Sequence, residues 1–140
     1  MPPESIDMTL STVDGMSIHF VNDGDELKFH GGEHRNVLCY VHGGNPAPIF
    51  HVMAGDKDIT DQFSVTKRML TEETATEGLF ILRSSITAEA KSLPMKGIYS
   101  GMRFQCVAKS VLESVESVTV GFVAKLNGCE LFVWSWECFH

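Results

Sequence analysis

Short runs of alternating apolar and polar residues, each cut off by glycine, proline or asparagine, leave this chain little room for anything but an antiparallel β fold. Ser17-Ile18-His19-Phe20-Val21 predicts a first strand, ended by Asn22-Asp23-Gly24. Leu27-Lys28-Phe29 alternates and stops at Gly31-Gly32. In the run from Asn36 to Val41, the residues Val37, Cys39 and Val41 share a face, because side chains two apart on a strand point the same way. Gly43-Gly44-Asn45-Pro46-Ala47-Pro48 is a turn that no helix tolerates, and Ile49 to Met53 follows as a strand before Ala54-Gly55-Asp56-Lys57 turns again. Phe63 to Thr66 and Leu79 to Leu82 predict further strands, divided by the polar stretch Thr71 to Gly78. The segment Thr87 to Gly97 is read as holding a helical turn that Pro94 ends. Met102 to Ala108 alternates with Met102, Phe104, Cys106 and Ala108 inward, and Ser117 to Ala124 is the last strand, with Val118, Val120 and Phe122 on one face. About eight short strands without an internal repeat suit a sandwich or a barrel.

With 140 residues, 44% of them apolar, the chain can bury a proper core in one domain and needs no metal to fold. The net charge of −7 provides no basic stripe to neutralise phosphates, which argues against nucleic acid and anionic membrane surfaces as partners. No run approaches the roughly 18 apolar residues that span a bilayer. The start, Met1 to Asp7, has neither the basic nor the apolar region of a signal peptide, so the expectation is a cytosolic protein or a partial or processed chain.

Four cysteines, Cys39, Cys106, Cys129 and Cys138, allow three full pairings, and their spacing does not choose among them. None forms a CxxC, and no pair of close pairs suggests zinc. Four separate buried thiols in a cytosolic protein remain the plain alternative.

Residue patterns for catalysis are lacking. There is no G-x-S-x-G, no G-x-G-x-x-G and no P-loop, and Glu72-Glu73 sits in a polar stretch with nothing apolar to raise a carboxyl pKa. His30-Gly31-Gly32-Glu33-His34 brings two imidazoles and a carboxylate within five residues. Paired glycines disfavour the helix that would align those imidazoles, so the segment reads as a solvated loop, and no metal or other cofactor is expected. His19, His42 and His51 read as strand or loop surface residues.

Cys39-Tyr40-Val41-His42-Gly43-Gly44-Asn45-Pro46-Ala47-Pro48 resembles the "C-x-x-x-G-x-x-P-x-P" entry into the third strand of adhesion-type immunoglobulin domains. Gly101-Met102-Arg103-Phe104-Gln105-Cys106-Val107-Ala108 resembles their "G-x-x-Y-x-C-x-A" strand. The stretch from Pro46 to Gly55 is most similar to immunoglobulin superfamily domains of the nephrin and sidestep type, found in adhesion and guidance receptors. The resemblance implies an all-β, immunoglobulin-like two-sheet antiparallel β-sandwich with one inter-sheet disulfide, Cys39–Cys106. It covers residues 16–125, leaving 1–15 as an N-terminal extension and 126–140 as a tail. Two departures stand out. The core Trp of the third strand is replaced by Val52, with Phe50 inward two residues earlier, and the Tyr two residues before the second cysteine is Phe104.

A disulfide of this kind persists only in an oxidising compartment, so the resemblance implies an extracellular or cell-surface setting, and no enzymatic activity. Its implied function is protein–protein recognition, as a fragment of an adhesion or guidance receptor binding another cell-surface or secreted protein, or itself. In related domains the sheet of the third, sixth and seventh main strands makes the contact. Its outward residues here would be His51, Met53, Arg103, Gln105, Thr119 and Gly121. The alternatives are a structural spacer in a longer ectodomain and a secreted immune-type binder.

The tail carries both tryptophans of the chain, in Leu131-Phe132-Val133-Trp134-Ser135-Trp136. Cys129 and Cys138 are candidates for a second disulfide that would present this aromatic stretch to a partner. The other reading folds the stretch back onto the sandwich. Either way it should be covered, because exposed it would invite aggregation.

Overall fold

The computed structural model describes residues 3–30, 32–43, 47–73, 80–95, 100–111 and 117–126. Their alternating segments form β1 (Pro3–Thr12), β2 (Ile18–Phe20), β3 (Asp25–Phe29), β4 (His34–Gly43), β5 (Ile49–Ala54), β6 (Lys57–Asp58), β7 (Ser64–Glu73), β8 (Phe80–Pro94), β9 (Arg103–Lys109) and β10 (Val118–Leu126). A 3-10 turn, Thr60–Gln62, follows β6. One sheet has the order β2-β1-β4-β8-β7 and the other β3-β10-β9-β5-β6. β3 runs parallel to β10, and the remaining neighbours in both sheets are antiparallel.

Strand periodicity builds the core. Val37, Cys39 and Val41 of β4, Ile86, Ala88 and Ala90 of β8, Phe104, Cys106 and Ala108 of β9, and Val120, Phe122 and Ala124 of β10 are all buried in one cluster. The Cys39–Cys106 disulfide crosses that cluster, joining β4 of the first sheet to β9 of the second. Beside the bridge, Val52 pairs with Cys106 and is fully buried. A row of phenylalanines supplies aromatic bulk: Phe29 lies 6.0 Å from Phe122, Phe122 stacks on Phe104 at 5.3 Å, and Phe104 lies 6.4 Å from Phe63. These rings fill the core beside the smaller Val52.

Three segments differ from expectation. Residues 3–12, set apart as an extension, form β1, which pairs along β4 and buries Met8 and Leu10. Ile6, Met8 and Leu10 alternate with Ser5, Asp7 and Thr9, a period-two signal that the sequence does carry. The stretch from Thr87, expected to hold a helical turn, is strand as far as Pro94, because β7 pairs with it up to Glu89 and β4 up to Pro94. Residues 96–99 lie outside the described residues. Met102, expected inward, is 38% exposed because it precedes β9 and lies over Gly55 instead of entering the core.

A bulge explains how one long strand serves the core along its length. Arg35 pairs with Leu93 and Val37 with Ala90, so a single residue on β4 faces two on β8. Ser92 takes a left-handed φ of 54° there, and its N–H donates to the Asn36 side chain. The extra residue shifts the phase of β8, so that Leu93 and Met95 point inward as Ala88 and Ala90 do.

Candidate functional site: the outer face of the second sheet

On β9 the inward residues are Phe104, Cys106 and Ala108, so Arg103, Gln105 and Val107 face outward. Register then assembles the surface row by row. Val107 is flanked by His51 and Thr119, Gln105 by Met53 and Gly121, and Arg103 by Val123. Ile49, paired with Lys109, extends the face and is 47% exposed. The residues singled out from sequence therefore do converge on one surface. His51, Met53, Arg103 and Gln105 are half-buried and Thr119 is exposed, while Gly121 is buried.

One end of the face is a held polar cluster. Arg103 Nε donates to Gln105 Oε1 at 2.8 Å, and an Arg103 terminal nitrogen donates to Asp23 Oδ1 at 2.6 Å. The same Asp23 oxygen accepts the Gly121 N–H at 3.0 Å, while the Gly24 N–H donates to the Gly121 carbonyl at 3.0 Å. The Asn22–Gly24 turn is thus pinned on β10, and the Arg103 hydrogen bond holds the Asp23 carboxyl below its ordinary pKa against a smaller opposing effect of burial. Asp23 is the residue that sequence reasoning missed. It lies 80 positions from Arg103, and nothing local distinguishes it from any turn aspartate.

Gly121 has a packing reason to be glycine. A Cβ there would stand 2.5 Å from the Phe104 carbonyl oxygen and 2.6 Å from the Gln105 Cβ, and the first of these is backbone that cannot swing away. Gly121→Ala is expected to cost about 1–3 kcal/mol through forced separation of β9 and β10. Thermal unfolding checks this, and an unchanged melting temperature would contradict it.

At the other end of the face, His51 Nδ1 sits 2.8 Å from Asp58 Oδ2. Asp58 also accepts from the Thr60 N–H at 2.9 Å and the Thr60 hydroxyl at 2.6 Å, and these bonds, those from Thr60 foremost, keep its carboxyl pKa low. Thr60 Oγ1 in turn accepts the Val52 N–H at 2.8 Å, tying the turn after β6 to β5.

The remaining histidine expectations resolve as structural clips. His42 lies 3.1 Å from Asp7 and packs its ring 4.2 Å from that of Tyr40, and His19 lies 3.2 Å from Asp25. His34 Nδ1 is 3.0 Å from the Ser92 carbonyl, while Glu33 pairs with Arg35. Among the described residues no group of three His, Cys, Asp or Glu side chains is placed to hold a metal. Cys129 and Cys138, and with them the expected second disulfide, lie outside the described residues.

No family model matches this sequence, and no curated protein matches it. Nine chains of solved structures do match. One of them, "Crystal Structure of Rst D1-D2", aligns with a TM-score of 0.54 at 16% identity, over 90% of this chain and 50% of that one. The present chain thus spans half the length of that structure, and at this identity the likeness speaks for the fold alone. The chain folds as an immunoglobulin-like two-sheet β-sandwich closed by Cys39–Cys106.

Proposed function

We propose that this domain is an extracellular protein–protein recognition module, part of an adhesion or guidance receptor, and that it binds through the outer face of the β3-β10-β9-β5-β6 sheet. The observation that carries this reading is the pre-ordered cluster of Asp23, Arg103 and Gln105 at one end of the face, continued along it by Met53, then His51, Val107 and Thr119, then Ile49. A partner would bury the apolar part of this face while Arg103, whose side chain is 33% exposed, offers a charge held in place before contact. Arginine in such a setting is a frequent energetic anchor, and holding it beforehand lowers the ordering cost of binding. The Cys39–Cys106 bridge supports an oxidising, extracellular setting. The likeness to Rst D1-D2 supports the fold on which the reading rests. Single domains of this size bind weakly, and presentation in many copies on a surface would supply avidity.

The test presents the chain as a multimer to a panel of secreted and cell-surface ectodomains, itself included, and measures any binder again with Arg103→Glu plus Gln105→Arg. Loss of at least tenfold in affinity is expected, with Lys67→Glu on β7 unaltered. The Asp23–Arg103 pair is open to solvent, so its loss should cost stability no more than about 1 kcal/mol and leave the fold intact. Undiminished binding by the double variant would remove this face from consideration.

A further inference from the structure

Three of the four outermost strands carry charges that discourage edge-to-edge pairing: Asp25, Glu26 and Lys28 on β3, Lys57 and Asp58 on β6, Lys67 and Arg68 on β7. The fourth, β2, has neither a carboxylate nor a lysine or arginine. It presents apolar side chains instead: Ile18 is 59% exposed, Phe20 73%, and Met16, just ahead of them, 85%.

Register gives these side chains a direction. Phe20 pairs with Thr9 and Ile18 with Ser11. Met8 and Leu10 are buried, so Thr9 and Ser11, and with them Phe20 and Ile18, stand on the outer face of the first sheet. The next strand across, β4, adds Leu38 beside Thr9 and Asn36 beside Ser11. Thr9, Ser11, Ile18, Asn36 and Leu38 wall an open cleft of about 230 Å³, with Glu89 beyond Leu38. Phe20 stands in the row that borders this cleft.

Three features point to a second copy of the chain as the occupant. A knob and a groove side by side on one face are what a two-fold axis closes, because each knob enters the other's groove and none is left to recruit a third copy. The volume allows it, since a cavity of about 150 Å³ already holds a benzene ring. Charge allows it as well. A chain of net charge −7 repels its own copy except where contact avoids charge, and Phe20, Ile18, Thr9, Ser11, Asn36 and Leu38 are all uncharged. Area is the third feature. At about 150–250 Å² for a large side chain, Met16, Ile18 and Phe20 leave roughly 400 Å² open on each copy. A standard interface draws about 800 Å² from each partner, somewhat over half of it apolar, so this patch supplies most of the apolar share.

We propose that the outer face of β2, β1 and β4 is a two-fold contact between copies of this chain, with Phe20 of each copy seated in the cleft beside Ile18 of the other. The inference does not rest on the partner-binding reading, which concerns the other sheet.

Light scattering after size-exclusion chromatography of the full chain tests it. Dimer is expected at about 100 µM and monomer at about 1 µM, as suits a contact at the small end of specific interfaces. Phe20→Asp removes the knob at a solvent-open position, so the fold should survive while the dimer dissociation constant rises at least thirtyfold. Ser11→Phe fills the cleft from its own chain and should weaken the dimer as much with Phe20 still in place. Met69→Asp on β7 should leave the dimer unchanged, and so should Arg103→Glu with Gln105→Arg, which separates this contact from the face of the other sheet. A chain that stays monomeric at millimolar concentration overturns the proposal. So does a dimer that survives Phe20→Asp or Ser11→Phe, or one that resists dilution because Cys129 or Cys138 cross-links it. A dimer lost only in the Arg103 and Gln105 double variant would move self-association to the other sheet.

Discussion

Replacing Cys39 and Cys106 together by alanine is expected to lower the unfolding free energy by about 4 kcal/mol, the chain-entropy value for a loop of this length. The bridge spans a sequence separation of 67 and lies at the centre of the core, with both cysteines fully buried. Against a total stability of about 5–15 kcal/mol for a domain of ordinary size, that is about a quarter or more of what holds the fold. Guanidinium denaturation of the two proteins under oxidising conditions measures it. The variant should also show a steeper dependence on denaturant, since its unfolded chain is no longer cross-linked and exposes more surface. A loss below about 1 kcal/mol would mean that strain or residual structure offsets the entropic effect. Mass spectrometry of the non-reduced, digested protein should recover the Cys39–Cys106 linkage directly.

Phe104→Ala should be comparably severe, at about 3–5 kcal/mol. The Phe104 ring is 1% exposed, stacks on Phe122 and lies near Phe63, so its removal opens a cavity between β9, β10 and the turn before β7 and loses both of these ring contacts. A tyrosine at this position would carry a hydroxyl. Phenylalanine has none, so its contribution here is packing alone, and Phe104→Leu should recover a good part of the loss. Met102→Ala, two residues earlier and 38% exposed, is expected to stay within about 0.5 kcal/mol of the parent. Equal effects at 102 and 104 would contradict the exposed position of Met102 ahead of β9. Chemical denaturation of the three variants separates these outcomes.

Much of this fold was legible because a strand records its own burial every second residue. Val37, Cys39 and Val41, or Val120 and Phe122, declare a face without help from the rest of the chain. The same signal was present in Ile6, Met8 and Leu10, and was missed because the end of a chain is ordinarily the least ordered part. β8 misled for another reason. Ala88, Glu89, Ala90 and Lys91 are good helix formers, and intrinsic preference pointed away from the strand that pairing with β4, and with β7 as far as Glu89, imposes. The bulge at Ser92 then shifted the period, so no single alternation describes the strand from end to end.

For the candidate site, sequence could place Arg103, Gln105, His51, Met53 and Thr119 on outward positions, because outward is simply the complement of inward. It could not find Asp23, whose contact with Arg103 closes over 80 residues, nor that Gly121 lies beneath Gln105. Nor could it tell that β3 joins β10 in parallel, since that pairing depends on the chain crossing from one sheet to the other after β2. By itself, then, the sequence determined the all-β class and most of the inward faces, which follow from local periodicity, while the Cys39–Cys106 pairing was implied only by the motif resemblance. The tertiary structure decided which strands are neighbours, where the phase of β8 breaks and which turn locks Arg103 in place. Those depend on contacts between residues far apart in the chain, and local patterning carries no record of them.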